Sequence, residues 1–287
     1  KSPILPHASQ ALRNLSSSRA IPTLCWLGDA NAEIVKSTHP VKFPVDKVPT
    51  VSDTKQTFYT MHTRPINSIY RRVVEELMVE MHLLSVHVDF QYDPIYALGV
   101  VSSYDRFMQG YKPEADRDSI FKAICRAVGG DPDHYRRDAE QLKSIATSHS
   151  ASDLATVLNQ SGTPSGTHNL QEIVGGLVAR SRFKYSRLFA IGLYHLLELA
   201  DADAAKEEKK VTELIQPICT KLNLSLDKLQ KDLELYRGSL EKMVQAQSVM
   251  EDILKADRKK REQREQEKST VSAGSNSGNG NGSDESA

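Results

Sequence analysis

Ten positions between Leu222 and Leu254 constrain this chain more than any other feature. Leu222, Leu226, Leu229, Leu233, Tyr236, Leu240, Met243, Gln247, Met250 and Leu254 follow one another at alternating steps of four and three. On an α-helix those steps return to one face, whereas on a strand they would scatter over both. The segment is therefore read as one long helix with a heptad seam and a single polar interruption, Gln247. Past Leu254 the seam stops, and Arg258, Lys259, Lys260 and Arg261 open a stretch of alternating charge. From Ser269 onward Ser, Gly and Asn dominate, with Asp284 and Glu285, the composition of a disordered tail. The seam either pairs with another chain or folds back on its own body. Tyr236, Met243 and Met250 are not the residues a two-stranded seam favours. Docking of its first half, with the basic end projecting, is the expectation.

The rest reads as helix too. Pro65 is expected in the first turn of a helix carrying Ile66, Ile69, Tyr70, Val73, Val74, Leu77, Met81 and Leu84 on one stripe. Before it, Ser52 and Asp53 are expected to cap a short helix reaching Tyr59 and Met61. Further helices are predicted over Pro94–Gln109, Glu114–Val128, Pro132–Ser148, Leu170–Arg180, Tyr185–Ala200 and Val211–Leu222. Asp93-Pro94 and Asp131-Pro132 supply caps and first-turn prolines, while Gly110 and Gly129-Gly130 mark stops. Gln160–Thr167 reads as a flexible loop between helical halves. No stretch sustains the period-two alternation of a strand. The expected fold is all-α: residues 1–49 an extension, 50–222 one helical body, 223–268 a long C-terminal coiled-coil-like helix and 269–287 a disordered tail. Pro40, Pro44 and Pro49 punctuate the linker before the body. Residues Lys1–Gly28 are basic, serine-containing and free of acids. They read either as an organelle transit segment or as a disordered extension.

Lys plus Arg and Asp plus Glu number 37 each in the 287 residues, so the formal charge is zero and no global field draws the chain to nucleic acid or anionic lipid. Leu224-Ser225 between two helices suggests a helix-turn-helix. Asp227, Asp232 and Glu234 make its second helix a poor face for phosphate, so no nucleic-acid binding is expected. Cys25, Cys125 and Cys219 stand apart, without metal-type spacing, as in a reducing compartment. Cys125 and Cys219 are expected as inert core thiols. The longest apolar run, Leu188 to Ala200, is broken by His195 and Glu198, short of the roughly 18–20 residues a membrane span needs. Phosphate-loop, nucleophile-elbow, dinucleotide and zinc-protease motifs are missing. Glu80, His82, His87, Asp89 and Asp93 form the best metal candidate. The two histidines stand five apart and do not share a helical face, so a capped helix end is preferred. No catalytic residue, metal site or cofactor is expected, and the chain is read as no enzyme.

Several ordered blocks resemble the thylakoid formation family of cyanobacteria and plastids. They include Thr50–Lys55 with Phe58-Tyr59, Arg64–Tyr70, Tyr92-Asp93-Pro94, Ala97-Leu98-Gly99, Met108–Tyr111, Arg117–Phe121, Phe183–Leu193 and Leu196–Ala200. The resemblance spans about Thr50 to Lys260; the stretch before Val48, the loop near Gln160 and the tail depart from it. It implies a helical fold without catalytic residues. It also implies an accessory role in thylakoid biogenesis and photosystem II assembly and repair, through the FtsH protease complex and photosystem II components. The expected place is the thylakoid membrane surface, peripheral, on the cyanobacterial cytoplasmic side or the chloroplast stroma. Among the matched blocks, Ala97-Leu98-Gly99 and Ala190-Ile191-Gly192 put small residues where helices must approach closely. Arg64, Tyr70, Tyr185, Ser186 and Arg187 mix polar and aromatic groups at helix starts and, with Arg258–Arg261 (Arg258, Lys259, Lys260, Arg261), are the candidate partner-binding residues. A soluble coiled-coil scaffold unrelated to photosynthesis is the alternative that the seam alone supports. Oligomeric state is left open.

Overall fold

A computed structural model describes residues 48–160 and 165–274, with side chains to residue 266. The transit-like segment, Cys25, Pro40, Pro44, the middle of the 160–167 loop and the tail after 274 lie outside the described residues. Those described form ten α-helices and no strand: α1 (Val51–Met61), α2 (Ser68–Ser85), α3 (Pro94–Phe107), α4 (Ala115–Ala127), α5 (Pro132–Thr147), α6 (Ala151–Leu158), α7 (His168–Val178), α8 (Arg187–Ala200), α9 (Glu208–Lys221) and α10 (Leu226–Gly274). A 3₁₀ turn, Ala204–Lys206, separates α8 from α9.

Helices α3 and α8 are the axis of the body. Residues Ile95–Tyr104 of α3 and Leu188–Leu197 of α8 are buried on every side, as a helix apolar all round must be. No other helix pair is in closer contact, and the two glycines explain why. A Cβ on Gly99 would stand 1.7 Å from the Leu188 carbonyl oxygen, and one on Gly192 would stand 1.9 Å from that of Ile95. The backbones touch where side chains are missing. Helix α5 packs on both axis helices; α1, α2 and α4 lean on one another and on α3. On the far side, α6, α7 and α9 close the core with Leu154, Leu170, Val174 and Ile215.

Local signals differ from expectation in three places. The N-cap of α1 is Thr50, two residues before Ser52, and Asp53 completes its cap from the first turn. Thr50 Oγ1 accepts from the Asp53 amide at 3.2 Å and Asp53 Oδ2 accepts from the Thr50 amide at 2.8 Å, a reciprocal capping box. Pro65 stays outside α2, because Asn67 Oδ1 takes the Ile69 amide at 3.2 Å and starts the helix there. Helix α6 was not predicted; its signal is a second capping box, Ser150 with Asp153. The Asp-Pro starts of α3 and α5 and the positive-φ stops at Gly110 (78°) and Gly129 (79°) fall where the sequence puts them.

The cysteines and the candidate metal residues take structural positions. Burial pushes the Cys125 thiol up to about 12 and the Cys219 thiol up to about 11, so neither is a nucleophile at neutral pH. His82 is buried with Nδ1 2.8 Å from Thr54 Oγ1. Glu80 pairs with Arg187, Asp89 with Arg182, and Asp93 caps α3. Each candidate ligand is engaged separately. No helix among the described residues is long and apolar enough to cross a membrane.

Candidate partner-binding surface

Helix α10 governs the surface, because one of its faces is docked and another is open. Leu229, Leu233, Tyr236 and Met243 are buried on the body, and Leu240 and Met250 are partly buried against the same core. The heptad seam is thus occupied by the chain's own helices, chiefly α8 with α9 and α3. Each fully buried leucine in such a seam stabilises the docking by about 1.5–3 kcal/mol. Gln247, the polar interruption, has a use: its Nε2 donates at 2.7 Å to the Gln109 carbonyl. That oxygen, at the end of α3 where Gly110 turns away, also accepts from Tyr70 OH at 3.3 Å. Met250 Sδ accepts from Asn67 Nδ2 at 3.3 Å. Residues 254–266 are exposed.

Of the candidate residues near the body, Tyr70 and Ser186 are buried, Tyr185 is half-buried, and Arg64 and Arg187 are exposed but ion-paired. Arg64 donates to the buried Asp116 carboxylate in the first turn of α4. Tyr70 is buried, edge-on to Tyr111 with ring centroids 5.0 Å apart. Ser186 caps α8, accepting from the Phe189 amide at 3.0 Å. Tyr185 OH donates to Asp232 Oδ2 at 2.7 Å, and Lys228 lies 4.9 Å from its ring, so this pair fastens the start of α10. Arg187 Nη2 reaches Glu80 Oε2 at 2.6 Å; burial works against its charge, and the carboxylate outweighs it. Arg258, Lys259, Lys260 and Arg261 are exposed along α10, far from the other five in the chain and in space beyond the docked seam. The structure does not bring the two sets together.

Two features were invisible to sequence reasoning. One is an ion-pair joint: Arg106 donates to Glu198, and His195 Nδ1 lies 3.0 Å from Glu198 Oε2 and 3.1 Å from Arg106 Nη2. Burial raises the Glu198 carboxyl, but His195 and Arg106 overcome it and hold it below the usual range. The other is an open groove of about 480 Å³ between α2, α3, α8 and α10. Its floor is Ile69, Val73, Phe107, Leu188, Tyr236 and Met243, and ion pairs Arg72–Glu76 and Arg187–Glu80 stand on its rim. Burial pushes the Tyr236 phenol up to about 12. The joint ties α3 to α8, and the groove is an apolar trough between ion pairs.

Comparison with known proteins adds three findings. A family model described as Thylakoid formation protein matches residues 50–265. "Protein Thf1" of Trichormus variabilis is 61% identical over 216 residues, which is 75% of this chain and 93% of that protein. "Protein Thf1" of Nostoc punctiforme is 58% identical over 220 residues, 77% of this chain and 94% of its own length. A solved structure of Psb29 superposes with a TM-score of 0.65 at 41% identity, covering 74% of this chain and 98% of that one.

Proposed function

Because the chain belongs to the thylakoid formation protein family, we propose that it is a non-enzymatic accessory protein of thylakoid biogenesis and of photosystem II assembly and repair. In this reading it binds and stabilises the FtsH protease complex, photosystem II components or both. It does so from the membrane surface, facing the cytoplasm in a cyanobacterium or the stroma in a plastid. The observation that carries it is the span of the family match, residues 50–265, which takes in the body, the docked seam and the start of the exposed arm together. The family is described by a process, thylakoid formation, rather than by a reaction, and the likeness to Psb29 supports the photosystem II assignment. The geometry supports the same reading, since a rigid helical body offers one groove and one projecting helix to larger partners.

Recovery of photosystem II activity after strong light tests it. A strain lacking the protein should recover more slowly, and the tagged full chain should retrieve FtsH subunits or photosystem II from membranes in mild detergent. Unchanged recovery together with a retrieval free of both complexes would end this reading.

A further inference from the structure

Helix α10 carries a second heptad stripe, one residue out of step with the seam. Leu235, Ser239, Lys242, Ala246, Val249 and Ile253 follow at steps of four and three, and the same steps continue through Asp257 to Lys260 and Arg264. At about 100° per residue these positions share one face, beside the docked one. The first four line the groove described above. Beyond the groove the stripe stays open: Leu235 is 61% exposed, Val249 59% and Ile253 56%, and Leu254 beside them is 59% exposed. Apolar surface that is continuous from a concave floor onto a protruding helix marks a contact site rather than scattered surface leucines.

We propose that this groove and stripe receive an amphipathic helix of another protein, lying along α10, whose far end is acidic. From Leu235 to Ile253 the apolar track runs roughly 27 Å at about 1.5 Å per residue, five turns of a helix bearing apolar residues at i, i+3 or i+4 and i+7. Charge decides what kind of helix fits. The rim pairs Arg72–Glu76 and Arg187–Glu80 cancel, leaving the exposed Lys242 ammonium; Lys260 and Arg264 follow on the same face, where Asp257 offsets one of them and a net positive charge remains. The acids Glu251, Asp252, Glu262 and Glu265 fall on other sides of α10 by the same 100° geometry. A bilayer surface is too flat to enter a groove walled by α2 and α10. The inference goes beyond the function proposed above, since it concerns the chemistry of the bound segment and holds for whichever complex supplies it.

Two synthetic peptides of about 28 residues test it, sharing one apolar face and ending in three glutamates or three lysines. Binding of each to the purified full chain is followed by fluorescence anisotropy. The glutamate peptide should bind at least tenfold more tightly, and the preference should shrink as salt rises. Leu235→Glu and Ile253→Glu, both at exposed positions, should abolish binding while thermal unfolding stays unchanged; Lys260→Glu with Arg264→Glu should remove the preference for the acidic end. Equal affinity for the two peptides, no binding of either, or binding indifferent to Leu235→Glu and Ile253→Glu would overturn the proposal. So would vesicles of dioleoylphosphatidylglycerol that bind through these same residues while the peptides do not.

Discussion

Asp93 accepts the Tyr96 amide at 2.8 Å and so caps α3, yet burial raises its carboxyl to about 6 against an ordinary aspartate near 3.8. Arg180, 3.9 Å away, offsets only part of that cost. Between those two values the folded state holds a proton that the unfolded state has released, so stability falls as pH rises from about 4 to about 6 and is constant in this respect on either side. Asp93→Asn keeps a capping side chain and removes the titration. Urea unfolding of both proteins from pH 4 to 7 should show the asparagine variant gaining on the wild type by on the order of 1–3 kcal/mol across that window. Parallel curves would refute the assignment. At Gly192 the constraint is steric. Any Cβ there meets the Ile95 carbonyl at 1.9 Å, and backbone in the central pair has nowhere to move. Gly192→Ala should cost more than about 3 kcal/mol, at the upper end of overpacking effects, and its thermal midpoint should drop by several degrees or more. Gly176, where nothing lies within 4 Å, is the control: alanine there should be neutral or mildly stabilising.

Among elements, the helices were legible because 3.6-residue periodicity is written directly in the apolar positions, and Asp-Pro starts and glycine stops are local chemistry. The errors are local as well. Thr50 caps α1 through the Thr50–Asp53 box, and Asn67 caps α2 through the Ile69 amide. Helix α6 is too short to show a stripe, and only its Ser150–Asp153 box announces it. On α10 the docked seam was plain, while the stripe beside it was hidden because Ser239 and Lys242 interrupt its apolar run. The division of α10 into a docked part and an arm gives a prediction of its own. Gln247 and Met250 bond to the body, and residues 251–266 are exposed. A chain ending at Met250 should therefore unfold within a few degrees of the full protein. By contrast, Leu233→Ala, which empties a buried seam position, should cost about 2–5 kcal/mol. Thermal melts followed by circular dichroism separate the two; a large loss on truncation would mean the arm supports the body.

Across the described helical body, one central pair of helices, α3 against α8, organises the packing, and α10 docks on it with residues 254–266 exposed. Family membership was legible in ordered blocks of sequence, and the structure explains why several of those blocks are kept together. Ala97–Gly99 and Ala190–Gly192 face each other, while Tyr185 and Arg187 tie α8 to α10 and α2. The partner-facing residues were harder to read. Arg64, Tyr70, Tyr185, Ser186 and Arg187 all make contacts within the fold; Tyr70 and Ser186 are buried by them, while Arg64 and Arg187 stay exposed. By itself the sequence determined that this protein is all helix, where most helices run, and that one long helix has a seam with a charged extension, because each of these follows from side-chain spacing along a single element. Only the tertiary structure decided that the seam is satisfied by the chain's own body and that a groove opens beside it. Those are properties of pairs of helices packed in space, and periodicity along one helix carries no information about which neighbour its face will meet.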